Sequence, residues 1–97
     1  MPSVELTATA ARQIDTLIET HELPRHTLDR VLTSLEPLER FPLAGRALHG
    51  RWEGFRLIIG PWPWMLLVHV YDEAEDRVFV VAVQDARRAS SATSTEN

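Results

Sequence analysis

Residues 54–88, GFRLIIGPWPWMLLVHVYDEAEDRVFVVAVQDARR, decide how this chain folds. Three apolar, β-rich runs lie in it: Phe55–Ile59, Trp64–Tyr71 and Val78–Val83. Each is too short for a stable helix of its own, and breakers separate them. The first gap, Gly60-Pro61-Trp62-Pro63, is turn chemistry, because proline brings no amide hydrogen to a ladder and glycine tolerates a positive φ. The second gap, Asp72 to Asp76, is an acidic polar loop. The block therefore reads as a three-stranded antiparallel meander, with strands expected near 52–60, 64–71 and 77–84.

The residues before it supply a cover for one face. Ser3 to Leu6 fits a short first strand, and Thr7 or Thr9 offers a hydroxyl as helix N-cap. Ala10, Ala11, Ile14, Leu17 and Ile18 recur at helical spacing, which predicts a helix over 8–21. Pro24 suits the first turn of a second helix over 24–36, where Leu28, Val31, Leu32 and Leu35 follow at i, i+3, i+4 and i+7. Pro37 cannot donate to the carbonyl of Thr33, so the regular helix ends near Glu36. Residues 40–52 are broken by Pro42, Gly45 and Gly50 and leave room for an extended edge. The expected core contains Ile14, Leu17, Leu28, Leu32, Leu35, Leu57, Leu67 and Val81. The order strand, helix, helix, three strands gives an α+β domain of two layers, a helical hairpin on a mostly antiparallel sheet. One domain over 1–88 accounts for the apolar residues, and the Ser/Thr-rich segment 89–97 has little to bury and reads as a flexible tail.

Composition narrows the function. With no cysteine among 97 residues, disulfides and thiolate metal sites are excluded. The four histidines show no paired metal-ligand spacing; His21 and His26 straddle Pro24 and share no helical face. No metal and no cofactor are expected. The first residues lack the basic region and apolar run of a signal peptide, and no run approaches the roughly 18 apolar residues of a membrane span. The expected location is the cytoplasm. The net charge of −4 argues against diffuse nucleic-acid binding, while ten arginines with no lysine leave room for a local basic patch.

Several side chains carry candidate chemistry. Arg56 alternates with Leu57 in its strand and is placed to clamp a phosphate or carboxylate bidentately. Arg46, His49, Arg51 and Glu53 form a polar group in a turn-rich connection, suited either to acid–base work or to plain solvation. His69, alone inside a strand, reads as a hydrogen-bonded structural residue. Asp85, Arg87 and Arg88 end the last strand. Trp62 and Trp64 make an aromatic hairpin tip, with at least one ring expected to be exposed for protein contact.

Taken together, VELTATAARQI at the start, Leu38-x3-Pro42-x2-Gly45, Gly54-Phe55-Arg56 and VFVVAVQDARR resemble, in order and spacing, the RelE/ParE superfamily, the toxins of type II toxin–antitoxin pairs, including plasmid-stabilisation proteins. The resemblance implies a β-α-α-β-β-β domain wrapped by a cognate antitoxin in a heteromeric complex. It implies growth inhibition through one of two targets: DNA gyrase for ParE-like members, or messenger RNA on the ribosome for RelE-like endoribonucleases. An inactive domain that only binds its antitoxin is a third reading. The family's ribonucleases carry basic residues along the first two meander strands and an arginine after the last. Arg56 keeps one such place, but Ile58 and Met65 stand at two others, and only Arg87 is left to serve as the last. If the chain were a ribonuclease, its candidates would be Arg56, His49 and Arg87. The ParE-like reading is therefore preferred, with Arg46, Arg51, Arg56, Trp62, Trp64, Arg87 and Arg88 as contacts to antitoxin or target.

Overall fold

A computed structural model describes residues 1–88. The elements, in chain order, are β1 (Ser3–Leu6), α1 (Ala8–His21), α2 (Thr27–Leu35), a 3₁₀ turn (Glu36–Glu39), β2 (Arg46–Ala47), a second 3₁₀ turn (Gly50–Trp52), β3 (Arg56–Ile59), β4 (Met65–Asp72) and β5 (Arg77–Asp85). They build a five-stranded mixed sheet in the order β1-β5-β4-β3-β2, with two helices packed on it. The meander is antiparallel throughout, and β1 joins β5 in parallel. The α+β reading holds, and the irregular stretch after α2 does yield an extended edge, β2. The expected tail, 89–97, lies outside the described residues.

Local chemistry explains the boundaries. The Thr7 hydroxyl accepts from the Ala10 amide at 3.2 Å and starts α1. The second helix begins at Thr27 rather than Pro24, because residues 24–27 make a turn in which the Thr27 hydroxyl and amide both donate to the Pro24 carbonyl, at 2.6 and 3.1 Å. It ends at Leu35, and Pro37 sits in the 3₁₀ turn that follows. The strand expected over 52–60 is shorter. Residues 50–52 turn instead, Gly54 takes a φ of 93°, and the ladder starts at Arg56. Between β4 and β5, Asp76 adopts a positive φ and its carboxylate accepts from the Tyr71 hydroxyl at 2.7 Å, so the acidic loop is a hydrogen-bonded turn.

The helix-side core gathers Ala10, Ile14, Leu17, Val31, Leu35 and Leu38 against Met65, Leu67, Val78, Val80 and Val83. A smaller cluster of Leu48, Leu57, Leu66, Val68 and Ala82 lies on the other face. Two expected core residues are not in it: Leu28 and Leu32 are 43% and 45% exposed. The buried stripe of the second helical segment is Thr27, Val31, Leu35 and Leu38, rotated from the one the leucines suggested. Thr27 is tolerated inside because its hydroxyl is satisfied locally by Pro24. Val81 is only half-buried. It is the extra residue of a bulge, since Val68 pairs with Ala82 but His69 pairs with Val80. The bulge leaves Val81 beside Ala82 on the smaller cluster's side.

These burials predict unequal costs. Leu67→Ala should lose about 2–5 kcal/mol in chemical denaturation, whereas Leu32→Ala, at a half-exposed position, should lose less than about 1.5 kcal/mol. Equal losses would contradict the rotated stripe.

Candidate functional site

At the end of β5 the chain leaves the sheet through a buried carboxylate. Asp85 Oδ1 accepts from the backbone amide and Nε of Arg87, and Oδ2 accepts from Nη2, all at 2.9 Å. The Arg87 hydrogen bonds hold the Asp85 carboxyl down to about 2, against the opposing effect of burial. The same bonds raise the pKa of Arg87. From the last turn of α1, His21 brings Nε2 to 3.3 Å from Oδ2.

Around this ion pair the aromatic hairpin tip is stacked. The Arg87 guanidinium lies 4.7 Å from the Trp64 ring centroid, and the His21 ring is also 4.7 Å from it. Trp62 stacks on Trp64 at 6.2 Å, and Arg30 of α2 sits over Trp62 at 4.6 Å. Both tryptophans are half-buried. They are thus not a bare platform: cations and a neighbouring ring already lie against them. Beside the clamp is a cavity of about 250 Å³ lined by Gln13, Thr16, Leu17, Val83, Gln84, Asp85 and Arg88. Gln13 fixes one wall by accepting from the Val83 amide at 2.7 Å.

A second group lies between β3 and β4. Arg56 and His69 are cross-strand partners, so their side chains share the helix-side face. Arg56 is half-buried and donates through Nη1 to the Gly45 carbonyl at 3.3 Å. His69 is fully buried, and neither ring nitrogen makes a hydrogen bond of good geometry. The expected well-formed hydrogen bond is therefore not found, although the nearby Ala44 backbone favours the protonated ring. Burial lowers the His69 pKa below 6.5, and the Arg56 charge lowers it further.

The other candidates are dispersed. Arg46 pairs with Leu57 and so projects from the face opposite to Arg56. Arg46, His49, Arg51 and Glu53 are all exposed and make no ion pair with one another, so no acid–base cluster forms there. Ile58 packs against the main core and Met65 is fully buried in it. Arg87, expected to face an acidic partner, is paired with Asp85 within the chain while its side chain stays 57% exposed. Sequence reading missed Arg30 and His21 as partners of the tryptophans, since no local spacing links them. The Asp85-x-Arg87 pairing had a local signal, two opposite charges two residues apart. Among the described residues no group of three metal-ligating side chains gathers, and no helix is long and apolar enough to cross a membrane.

Residues 4–90 match the family described as ParE toxin of type II toxin–antitoxin systems. The chain belongs to the ParE toxin family. No curated protein matches it. Solved structures share its fold. The toxin–antitoxin complex RelBE2 from Mycobacterium tuberculosis includes a chain of 24% identity and TM-score 0.65, the match covering 87% of this protein and 90% of that chain. The chromosomal ParDE system from P. aeruginosa matches at 12% identity and TM-score 0.70, over 90% and 98% of the two chains. A metal-bound toxin from Helicobacter pylori matches at 21% identity and TM-score 0.64, over 88% and 94%. This ParE-family toxin is thus a two-layer domain with a charge-compensated clamp at one end of the meander and a buried histidine beside an arginine in its middle strands.

Two titrations follow. Asp85 falls from 3.8 unfolded to about 2 folded, so its stabilisation is full above 3.8 and is lost as pH drops toward about 2. Urea melts of Asp85→Asn should show lower stability at neutral pH and a flatter profile in that acid window. The His69 pKa is lowered from 6.5, so stability should also decline as pH falls below 6.5, where the unfolded chain takes up a proton that the folded chain refuses. His69→Leu should remove that decline; a wild type whose stability is constant from about pH 7.5 to 5.5 would contradict the assignment.

Proposed function

We propose that this ParE-family toxin arrests growth by binding a protein target, DNA gyrase being the one its family resemblance suggests, and that a cognate antitoxin neutralises it in a heteromeric complex. It acts as a binding module rather than a nuclease. The observation that carries this reading is where its cations and acids lie. Cleavage of RNA through the 2′-hydroxyl needs a proton acceptor, a proton donor and positive charge at the developing phosphorane, all within reach of one phosphate. Here Met65 belongs to the hydrophobic core and Ile58 packs against it, at positions where the family's ribonucleases would hold basic residues. Arg87 is engaged by Asp85 through its backbone amide and two guanidinium N–H groups. His69 is sealed from solvent. Arg56 remains half-exposed but has no accessible acid or base beside it.

The pairing of Arg56 with His69 favours a second reading, a RelE-like endoribonuclease, because it sets an imidazole next to a guanidinium. Burial of the imidazole weighs against it. Loss of a single transition-state donor costs on the order of 10²–10³ in rate, so a site short of several would retain little activity.

With programmed ribosomes, the purified toxin should leave mRNA intact at concentrations that stop growth when expressed. Site-specific cleavage in the A site, abolished by Arg56→Ala or His69→Ala, would replace the binding reading with the enzymatic one. For the antitoxin, co-expression with the product of the neighbouring reading frame should give a complex that survives gel filtration at micromolar concentration.

A further inference from the structure

Charge is sorted along this chain in a way that its total conceals. Residues 40–56, RFPLAGRALHGRWEGFR, hold four arginines against one glutamate, in a protein of net charge −4. The glutamates just upstream, Glu36 and Glu39, line a separate groove of about 200 Å³ at the β1 edge, with Val4, Leu6 and Leu32. From there the chain passes over the helix-side face toward the opposite edge of the sheet. Gly45, at a φ of 98°, docks it so tightly on β3 that a Cβ would collide with the Leu57 carbonyl oxygen. Arg46–Ala47 then pairs with β3 as the far edge strand.

Along this strap Phe41 and Leu43 are 60% and 59% exposed. Residues 40–44 shape an open depression of about 510 Å³ between their side chains. The arginines of the strap lack counter-charges. Arg77 pairs with Glu5 and Arg87 with Asp85, but among the described residues Arg40, Arg46, Arg51 and Arg56 have no carboxylate within ion-pair distance. Arg56 gives one N–H to a carbonyl at 3.3 Å, which leaves most of its donor fork unused. The Arg40 side chain lines the depression with Phe41 and Leu43, and the Gly45 carbonyl holds the Arg56 guanidinium on the strap, a combination of large apolar and uncompensated cationic groups that marks a protein contact.

We infer that the strap formed by residues 40–56 is the docking site for an acidic segment of the cognate antitoxin. An apolar side chain of that segment seats between Phe41 and Leu43, its carboxylates take Arg40 and Arg56, and where it curls over the β2 edge they meet Arg46, which projects from the other face. The inference rests on the toxin–antitoxin reading above and adds the place and the chemistry of recognition. Charge complementarity selects an acidic peptide. A single-stranded nucleic acid would ask for a row of free stacking rings among the arginines; the strap exposes the Phe41 ring, while Trp52 and Phe55 pack against the smaller cluster.

Calorimetric titration of the neighbouring reading frame's product into the full-length chain tests this. Phe41→Ser/Leu43→Ser and Arg40→Glu/Arg46→Glu should each raise Kd by about tenfold or more, while Arg12→Glu, exposed on α1, should change it by less than about twofold. Since the altered side chains are exposed, melting temperatures should stay near wild type. Hydrogen exchange on the wild-type complex gives an independent reading: the amides of residues 41–47 should be slowed on binding. Equal Kd values across the variants, with exchange in 41–47 unchanged, would overturn the docking site and leave the toxin–antitoxin reading standing. A wild-type chain that forms no complex would remove that reading and the inference with it. A single-stranded RNA oligonucleotide whose binding is lost in Arg40→Glu/Arg46→Glu, with antitoxin affinity unmoved, would assign the strap to nucleic acid and overturn the proposal.

Discussion

Asp85 stands where the last strand leaves the sheet, and a bidentate pair with Arg87 occupies its carboxylate there. A buried carboxylate is costly unless it is matched and hydrogen-bonded, and this one is both. The pair also positions its surroundings. Arg87 lies against Trp64, Trp64 against Trp62, and Trp62 against Arg30, while His21 reaches both Trp64 and Asp85. One carboxylate therefore ties the end of α1, the exposed face of α2, the β3–β4 turn and the last strand into one corner. Helices that are otherwise short and only moderately buried gain a fixed seat on the meander.

That corner has a functional consequence. In a ribonuclease of this superfamily, an arginine after the last strand would be available to a phosphate. Here two of its N–H groups are spent on Asp85, with the side chain 57% exposed. The hydrophobic core likewise takes the side chains at two further positions, Ile58 and Met65. At the other side of the sheet the balance is reversed: Arg56 and its neighbours on the strap carry charge that nothing within the described residues compensates. One end of the meander carries an internally paired cation, and the other carries unpaired ones. That asymmetry supports the proposed binding action over the enzymatic one.

Much of this was legible in the sequence because it depends on local rules. The threonine cap of α1, the proline that ends α2 and the apolar runs of the meander each act over a few residues, and the elements appeared close to where those rules put them. The errors arose where tertiary geometry decides. Leu28 and Leu32 satisfy a helical stripe as well as Val31 and Leu35 do, but the helix begins three residues later than Pro24 suggested and turns Thr27 inward, so the other diagonal is buried. Val81 fits the strand's alternation until a bulge interrupts it. At the site, Arg56, His69, Trp62, Trp64, Asp85 and Arg87 are all singled out by the sequence, but the partners of the tryptophans are not, since His21 and Arg30 reach them from helices more than thirty residues away in sequence. The pairing of His69 with Arg56 is a matter of strand register, which composition does not encode.

Membership of the ParE toxin family fixes the class of molecule, and the arrangement of its ions supports the way it acts. The most direct measurement follows plasmid supercoiling and mRNA integrity in the same culture after the toxin is induced. Growth arrest with loss of negative supercoiling and full-length transcripts is the result expected of a protein that binds gyrase and cuts nothing. Growth arrest with normal supercoiling and transcripts cleaved within their coding regions would contradict the account.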